Sequence, residues 1–298
     1  MNNKITVIGS ANADLVIHSE KMPLLGETLT GSDFQINAGG KGLNQAVAIS
    51  KLGGNISFIG AVGNDSNGKF LLDELNKNNV CFEGISLDDE STGIAMITIV
   101  NSDNFIILNA GANYRLTPEI IEQNEHKIAE SEFCVLQLEI PMETVEKVCE
   151  ISKIHGTKVM LNPAPYKELS PSLLSNIDYL IANEHEAREI TGIYPDNEEN
   201  SVKAIKKLLS MGVKNIVITL GERGCVYNDG EEIKFHAAIP VKAVDTTSAG
   251  DCFIGAFVTK LSQGLSIDKA IEFASKASAI TVSRQGASKS IPFASEIE

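Results

Sequence analysis

The order of apolar and polar positions predicts strands and helices that alternate along most of the chain. Short apolar runs rich in β-branched residues predict strands at Lys4–Gly9, Asn55–Gly63, Val80–Ser86, Phe133–Leu138, Thr157–Leu161, Tyr179–Ala182 and Asn215–Thr219. Apolar positions three and four residues apart predict helices at Gly40–Leu52, Asn67–Asn78, Thr117–Ala129, Met142–His155, Glu184–Thr191, Glu198–Met211, Ala249–Leu261 and Ile267–Val282. This alternation is typical of an α/β fold with a mainly parallel central sheet that helices cover on both faces.

Two segments depart from this alternation and predict a smaller β-sheet. Alternate positions of Thr92–Val100 are apolar or β-branched, and the polar run Asn101–Asn104 precedes a second strand-like stretch, as in a β-hairpin. Asp14–Phe34 also has the character of strands joined by a turn. Together these segments predict a lid that closes over a ligand site. We expect the lid to comprise 14–34 and 92–110, and the α/β domain to comprise 1–13, 35–91 and 111–298.

Polar side chains recur where the predicted strands end. They are Asn12 and Asp14 after the first strand, then Glu139, Asn162, Asn183 with Glu186, and Thr219 with Gly221. The carboxyl ends of parallel strands meet at one edge of a sheet, where open α/β sheets bind ligands. Each residue alone is weak evidence, because strands also meet solvent at their ends. As a series they predict one ligand-binding edge.

A glycine-rich segment, Gly39–Gly42, precedes the first predicted helix and lets the backbone come close to a ligand. Lys41 and Asn44 would then project from the first helical turn. The segment is not a Walker A loop, because Gly42 rather than Ser or Thr follows Lys41. The dinucleotide fingerprint G-x-G-x-x-G also fails, because Gln45 stands at its last glycine position.

The stretch Val244–Phe257 combines an anion-binding pattern with a carboxylate. Small residues, Ala249 and Gly250, open a predicted helix, and Asp251 follows them. The first amides of a helix have no internal partner and carry the positive end of its dipole, so they can bind an anion. Asp251 could then take a proton from a nucleophile brought against that anion. The alternative is an ordinary helix cap, in which Ser248 and Asp251 stabilise the helix without any ligand.

Composition narrows the function classes. The chain has 298 residues and a formal net charge of −14, which opposes nonspecific binding to nucleic acid or to anionic membranes. The five cysteines are dispersed and form no C-x-x-C pair, which predicts reduced thiols in the cytoplasm rather than disulfides or a zinc site. Cys252 is either a reactive thiol at a helix N-terminus or a small core residue. We see no signal peptide and no apolar run long enough to span a membrane.

The motifs of this chain resemble those of the ribokinase family of carbohydrate kinases. The resemblance extends from Ile5 to about Pro292. It is carried by Asn12-Ala13-Asp14, Gly39-Gly40-Lys41-Gly42 with Asn44-Gln45-Ala46, Asn162-Pro163-Ala164-Pro165, Asn183-Glu184 with Glu186, and Asp245-Thr246-Thr247 with Ala249-Gly250-Asp251. Two long signatures in the right order, about 200 residues apart, make the resemblance specific.

The resemblance implies ATP-dependent phosphorylation of the 5-hydroxyl of ribose. It places ribose against Asn12, Ala13, Asp14, Gly40, Lys41, Gly42, Asn44, Glu139 and Asp251. It places the nucleotide against Asn183, Thr219, Leu220, Gly221, Glu222, Gly224, Gly250, Asp251 and Ser275. It implies Mg²⁺ bound through water by Glu186, and K⁺ bound by Asp245, Thr247, Thr281, Arg284, Gly286 and Ser290, several of them through backbone carbonyls.

Phosphoryl transfer needs positioning and charge neutralisation more than covalent help. Our hypothesis is that Asp251 takes the proton of the sugar hydroxyl as a general base. The amides of Ala249, Gly250 and Asp251 would hold the charge that develops on the phosphoryl group.

Other functions stay open on the sequence alone. One is a kinase for another sugar or for a nucleoside, such as deoxyribose, fructose or adenosine. Another is a non-catalytic sugar sensor, which the presence of Asp251, Gly250 and Glu186 disfavours. A third is a dinucleotide-dependent oxidoreductase, which the missing glycine fingerprint disfavours. The resemblance also implies a homodimer formed through the lid, which would otherwise leave an apolar face and unpaired strand edges exposed.

Overall fold

The computed structural model describes residues 3–101 and 103–297. Its strands are β1 (Lys4–Ile8), β2 (Asn12–His18), β3 (Ser32–Gly39), β4 (Asn55–Ile59), β5 (Ala61–Gly63), β6 (Cys81–Phe82), β7 (Ile85–Leu87), β8 (Gly93–Val100), β9 (Asp103–Asn109), β10 (Phe133–Leu136), β11 (Lys158–Leu161), β12 (Tyr179–Asn183), β13 (Asn215–Thr219), β14 (Cys225–Asp229) and β15 (Glu232–His236). Its α-helices are α1 (Lys41–Lys51), α2 (Ser66–Lys77), α3 (Pro118–Gln123), α4 (Glu125–Ala129), α5 (Met142–His155), α6 (Pro171–Leu174), α7 (Glu184–Thr191), α8 (Glu198–Ser210), α9 (Ala249–Ser262) and α10 (Ile267–Val282). None of these helices is long and apolar enough to cross a membrane.

The central sheet has, in the described part of the chain, nine strands in the spatial order β15-β14-β13-β12-β11-β10-β1-β4-β6. The pairs from β6 through to β13 are parallel, and β14 and β15 add an antiparallel edge. The predicted mainly parallel α/β fold is confirmed.

Helices cover both faces of this sheet, as β10 illustrates. Phe133 and Val135 pack into a core shared with α1, α9 and α10, whereas Cys134 and Leu136 pack into a second core with α5 and α8. All four side chains are buried. Burial on both faces explains why such strands appear in the sequence as continuous apolar runs.

A second sheet, which we call the lid sheet, has the order β3-β2-β8-β9. Its β8 and β9 form the predicted hairpin, and β2 pairs antiparallel with β3 and parallel with β8. Its bounds differ from the predicted 14–34, because β2 starts at Asn12 and β3 continues to Gly39 through pairing of those two residues. The assignment of these segments to separate domains remains a prediction.

The lid sheet joins the α/β part through very short connections. Only Gly9–Ala11 lie between β1 and β2, and Gly40 alone lies between β3 and α1. The chain therefore passes from the central sheet to the lid sheet and back next to the residues predicted to hold the sugar.

Other predicted boundaries are wrong where a polar residue or glycine interrupts a pattern. Asn55–Gly63 forms two strands, β4 and β5, which lie in different sheets. The helix predicted at Thr117–Ala129 is divided at Asn124, whose side chain donates to the Ile120 carbonyl at 2.8 Å. The stretch predicted as one strand at Val80–Ser86 forms β6 and β7. The sequence pattern also did not predict α6 or the β14–β15 hairpin.

Four of the five cysteines lie in the interior. Cys134, Cys149, Cys225 and Cys252 are buried free thiols, and Cys81 is exposed. Burial raises the pKa of the Cys252 thiol to about 12. Of the two possibilities for Cys252, the structure favours a small core residue over a reactive thiol.

Candidate active site

The N-terminus of α1 lies directly against the loop that follows β1. Gly40 has a φ of 87°, and a Cβ on Gly42 would lie 2.6 Å from the Ser10 backbone nitrogen. Side chains at these two positions would separate the helix from the loop. The Lys41 N–H donates to Glu139 Oε2 at 3.1 Å, and the Ser10 hydroxyl donates to the same oxygen. Glu139 therefore connects the start of α1 at Lys41 with the loop residue Ser10, at the predicted sugar site.

Helix α9 begins at Ala249 as predicted, and the side-chain cap of the alternative interpretation is absent at Ser248. A capping residue normally has extended backbone angles, whereas Ser248 has a left-handed φ of 60°. Its buried hydroxyl has no hydrogen-bond partner among the described residues. The ordinary-cap interpretation of this stretch therefore loses its main support.

The predicted anion hole is partly occupied by the chain itself. The Ala249 N–H donates to the Thr246 carbonyl at 3.2 Å, so this amide already has a partner. Gly250 and Asp251 lie in the first helical turn, where amides have no acceptor within the helix. A Cβ on Gly250 would meet no atom within 4 Å, so open space lies beside this turn. The amides of Gly250 and Asp251 are the ones that remain for an anion.

Asp251 is buried, and two side-chain amides hold its carboxylate. Asn44 Nδ2 donates to Oδ2 at 3.2 Å, and Gln45 Nε2 donates to Oδ1 at 3.0 Å. Burial raises the pKa of Asp251, and Lys41 together with these two amides offsets only part of that effect. A buried carboxylate with a raised pKa at a ligand-binding edge has the properties of a general base.

Strand β2 presents Asn12 and Asp14 on one face, and the two-residue period of a strand places the buried Ala13 on the other. Asn12 Oδ1 accepts a hydrogen bond from Asn113 Nδ2 at 2.7 Å. Asn113 is itself fixed, because its Oδ1 accepts from the Ala11 N–H at 2.9 Å. With its oxygen occupied, Asn12 keeps its amide nitrogen as a donor for a ligand.

Several charged side chains act on one another in this site. Burial, together with the charges of Glu139 and Asp251, raises the pKa of Asp14 to about 7. Burial lowers the pKa of Lys41, but Asp251, Glu139 and Glu186 outweigh it and hold that pKa above its ordinary value. Lys41 is therefore a cation surrounded by carboxylates. Carboxylates accept hydrogen bonds from hydroxyl groups, so the site suits a ligand rich in hydroxyls.

The predicted nucleotide residues follow β12 and β13. Asn183 ends β12 and caps α7: its Oδ1 accepts from the Glu186 N–H at 2.9 Å, and Glu186 Oε2 accepts from the Asn183 N–H at 2.9 Å. Burial raises the pKa of Glu186. This reciprocal capping box fixes a buried carboxylate at the ligand edge of the sheet.

The next turn, after β13, runs through a short 3₁₀ helix at Gly221–Arg223. Thr219 ends the strand, Leu220 is buried and Glu222 is exposed. Gly224 has a φ of 95°, and a Cβ there would overlap the His236 carbonyl oxygen. Only glycine fits this position, so the turn has one well-defined shape.

Ser275 lies on α10, half-buried and one turn before Ser278. The Ser278 hydroxyl donates to the Ala249 carbonyl at 3.1 Å. Helix α10 is therefore tied to the first turn of α9, and Ser275 lies on the same side of α10 as that contact.

The residues predicted to bind K⁺ lie in two segments that hydrogen bonds join. Asp245 Oδ2 accepts from the Gly286 N–H at 3.0 Å, and its Oδ1 accepts from the Thr247 N–H at 2.9 Å. Burial raises the pKa of Asp245, but these donors outweigh it and hold the pKa below its ordinary value. Asp245 is therefore ionised and connects the two segments.

Side chains of this region are largely engaged already. Thr281 Oγ1 donates to the Ala277 carbonyl at 3.0 Å, and Ser290 Oγ donates to the Ala287 carbonyl at 2.7 Å. Arg284 forms an ion pair with Glu296 at 2.7 Å. Oxygen ligands from here would include backbone carbonyls, which the resemblance implies for several of the contacts.

A comparison with protein families shows to which family the chain belongs. The profile described as pfkB family carbohydrate kinase matches residues 2–294. The chain belongs to the pfkB family of carbohydrate kinases. The resemblance carried by the sequence motifs is confirmed at the level of the family.

Similar pfkB proteins are known by sequence and by structure. The ribokinase of Haemophilus influenzae is 42% identical over 299 residues, which cover 98% of this chain and 96% of that protein. The deoxyribokinase of Salmonella typhi is 36% identical and covers 97% of this chain and 95% of that protein. The structure of Arabidopsis thaliana ribokinase complexed with ribose and ATP has a TM-score of 0.94 at 32% identity, covering 98% of this chain and 96% of that one.

The structure adds residues that the sequence argument did not assign to the site. Gln137 lies behind Gln45, Asn113 lies behind Asn12, and Ser10 holds Glu139. The sequence does single out Gln137, because it is a polar residue inside the apolar run Phe133–Leu138. Nothing in the sequence singles out Asn113 or Ser10, because turns and strand ends are commonly polar.

Proposed function

We propose that the chain transfers the γ-phosphoryl group of ATP to O5 of D-ribose and releases ribose 5-phosphate and ADP. The observation that carries the proposal is the buried Asp251 at the start of α9, held by amides of α1 beside a cluster of hydroxyl-binding groups. Membership in the carbohydrate kinase family and the ribokinases among its relatives support this activity.

The sugar side of the site offers unsatisfied polar atoms. Asn44 Oδ1 is buried and has no hydrogen-bond partner among the described residues. Such an atom costs free energy unless a ligand satisfies it, and a sugar hydroxyl is a suitable donor. Asn12 would donate its free amide hydrogens, and Asp14 and Glu139 would accept from further hydroxyls.

In the transfer step, O5 attacks the γ-phosphorus while the bond from that phosphorus to the bridging oxygen of ADP breaks. The proton of O5 moves to Asp251, and ADP leaves with the bonding electron pair. The amides of Gly250 and Asp251 would hold the charge on the transferring phosphoryl group, and Lys41 would lower the local negative potential. The lid sheet, which carries Asn12 and Asp14, would exclude water as it closes on the sugar.

Glu186 and Asn183 fit the predicted Mg²⁺ site through water. Their capping box leaves a fixed, buried carboxylate at the ligand edge. The described residues contain no group of three His, Cys, Asp or Glu side chains that could hold a metal directly. An ion there would therefore rely on phosphate oxygens and water for its other ligands, as Mg²⁺ commonly does. When bound, it supplies charge neutralisation on the phosphates.

The segments around Asp245 and Gly286 fit a K⁺ site built from carbonyl oxygens. They lie in contact through the Asp245 carboxylate, and the first of them leads into the turn that starts α9. An ion there would stiffen Thr246–Ser248, the turn on which the anion-binding amides depend. K⁺ is bound elsewhere by rings of backbone carbonyls, so the chemistry of the donors is suitable.

The proposed activity is tested by ADP release from Mg-ATP with ribose, deoxyribose, fructose and adenosine, each in K⁺ and in Na⁺. We expect the highest kcat/KM with ribose and a higher rate in K⁺. A preference for deoxyribose would keep the mechanism and replace the substrate, an outcome that the deoxyribokinase relative makes worth measuring. No turnover of any acceptor by the folded protein would contradict the proposal and favour a sugar-binding sensor.

The charge state of Asp14 should make ribose binding depend on pH. The free site holds the pKa of Asp14 at about 7, and only the ionised form accepts hydrogen bonds with both oxygens. If ribose binds the ionised form, its dissociation constant should fall about tenfold between pH 6 and pH 8. Calorimetric titration of the nucleotide-free enzyme measures this. Asp14→Asn should bind more weakly with a flat profile, and an equally steep profile in that variant would rule out Asp14 as the cause.

We also propose that the lid sheet pairs two copies of the chain. One face of this sheet carries Asn12 and Asp14. The pairing register puts apolar side chains on the opposite face, where Met96 lies opposite Ile107, and Ile107 is 72% exposed. The other exposed apolar residues of this row are Ile17, Ile36 and Phe105. A second copy would cover this apolar face.

Ile107→Asp should therefore convert a dimer into a monomer in sedimentation velocity at micromolar concentration. Ile154→Asp is the matched control, because Ile154 is equally exposed but lies on α5, outside the lid sheet. A wild-type chain that sediments as a monomer would refute the proposed dimer.

We place the enzyme in the cytoplasm, and the free state of its cysteines supports this.

A further inference from the structure

The Asp251 carboxylate accepts hydrogen bonds from two consecutive residues of α1. Asn44 donates to one carboxylate oxygen and Gln45 to the other. The two differ in their surroundings: the Asn44 oxygen is unpartnered at the site, whereas Gln45 is fully buried behind it. A sugar that draws Asn44 into its own hydrogen bonds would leave Gln45 as the amide that still holds Asp251.

The orientation of the Gln45 amide is fixed from behind. Gln137 Nε2 donates to Gln45 Oε1 at 2.6 Å, so the oxygen of Gln45 faces Gln137 and its nitrogen faces Asp251. The same nitrogen also donates to Asn162 Oδ1 at 3.3 Å. The glycine at position 9 makes room for this arrangement, because a Cβ there would overlap Gln137 Oε1. The order Gln137, Gln45, Asp251 is thus a directed series of hydrogen bonds that starts in the core.

The charges that face Asp251 come from several elements. Lys41 on α1 favours its ionised form, and Glu139, after β10, disfavours it. Asp14 on β2 and Glu186 on α7 are also close enough to be affected by its charge. A neutral amide donor stabilises the carboxylate without changing the net charge of the site, and it does so at every pH at which the enzyme works.

We infer that Gln45, oriented by Gln137, is a positioning residue that keeps the Asp251 carboxylate ionised and fixed while the acceptor hydroxyl is bound. This inference rests on the proposed function, since it assigns Gln45 a part in proton removal by Asp251. Gln45 contacts the base Asp251 and is assigned no contact with O5 or the phosphoryl group, and Gln137 acts through Gln45.

The test is the pH profile of kcat for Gln45→Met, which keeps the length of the side chain and removes the donor. Loss of a hydrogen bond to a charged group should move the acidic limb of kcat upward by about one to two pH units. On the acidic limb kcat should fall about ten- to hundredfold relative to the wild type and should recover at higher pH, while the ribose KM changes little because Asn44 remains. Gln137→Met should shift the limb in the same direction by less, since it leaves the donor but frees its orientation.

Ser50→Ala is the matched control, because Ser50 lies on the same helix and its hydroxyl bonds to the Asn78 carbonyl, away from the site. It should lower the melting temperature without moving the pH profile. A Gln45→Met profile that superimposes on that of the wild type would overturn the inference and make Gln45 a packing residue. If Gln45→Met does not fold, an unshifted limb in Gln137→Met overturns it instead. Absence of sugar-dependent ADP release by the wild type would count against the proposed function itself, so the two failures are distinguishable.

Discussion

Asp251→Asn should lower kcat about 10²- to 10⁴-fold at pH 7, because the O5 proton then has no positioned acceptor. The side chain keeps its shape, so the ribose KM should stay within a few-fold of the wild-type value. The Asn44 and Gln45 amides donate to different oxygens of this carboxylate, and in asparagine one of these oxygens is replaced by an NH2 group, so one of the two donors would face another donor. We therefore expect a modest loss of stability beside the large loss of turnover. Steady-state kinetics with ribose and thermal unfolding measure the two effects separately.

Asp268→Asn is the control for this variant. Asp268 also lies in the first turn of a helix, α10, but it pairs with Lys234 on the surface, away from the site. Any effect on kcat that reflects only the loss of a carboxylate from a helix N-terminus should appear in both variants. Near-normal turnover by Asp251→Asn would show that Asp251 is not the base, and the transfer would then need another proton acceptor.

Gly250→Ala should lower the activity of the enzyme without lowering its stability. A Cβ at this position meets no atom of the protein within 4 Å, and alanine favours a helix over glycine by up to about 1 kcal/mol. The melting temperature should therefore stay the same or rise. The added methyl would stand beside the amides that are proposed to receive the phosphoryl group, and displacement of a reacting group by about 1 Å can cost about 10²-fold in rate. We expect kcat/KM for ATP to fall by at least about tenfold with little change in ribose binding.

Gly42→Ala is the opposite case. Its Cβ would lie 2.6 Å from the Ser10 backbone nitrogen, so the helix or the loop must move, at a cost of about 1–3 kcal/mol. Urea unfolding should show this loss, and sugar binding should weaken with it.

If Gly250→Ala retained full activity with ATP, the space beside α9 would not be the phosphoryl site.

The fold could be predicted wherever burial dictates the sequence pattern. Strands such as β10 pack on both faces and so consist of apolar residues, and long amphipathic helices such as α5 show their period clearly. The hairpin β14–β15 escaped prediction because its strands mix polar and apolar residues at an edge of the sheet. Its two-residue turn, Gly230-Glu231, lies between the paired residues Asp229 and Glu232, and a glycine at the first turn position with positive φ is a common hairpin signal.

The individual residues of the candidate site could be predicted from the sequence, but the contacts between them could not. The position of Asp251 at a helix start followed from local pattern, and its motif followed from the family resemblance. The contacts of Asp251 with Asn44 and Gln45 join residues about 200 positions apart, and no local pattern contains them. The left-handed backbone at Ser248 was equally hidden, since serine at a helix start normally indicates a side-chain cap. Long-range packing, rather than propensity, determines both features.

The short connections between the two sheets have a consequence for how enzymes of this architecture can diversify. Strand β2 carries Asn12 and Asp14 on one face and contributes to the proposed dimer surface with the other. The segment that contains β2 and β3 lies in the chain between Gly9–Ala11 and Gly40. A recombination event that exchanges 12–39 between relatives would transfer part of the proposed sugar site and part of the proposed subunit interface in one piece. If the proposed sugar site and dimer hold, substrate range and quaternary structure would be inherited together in this region, and a chimera that imports the segment from a deoxyribokinase would need a compatible β8–β9 hairpin at the same time.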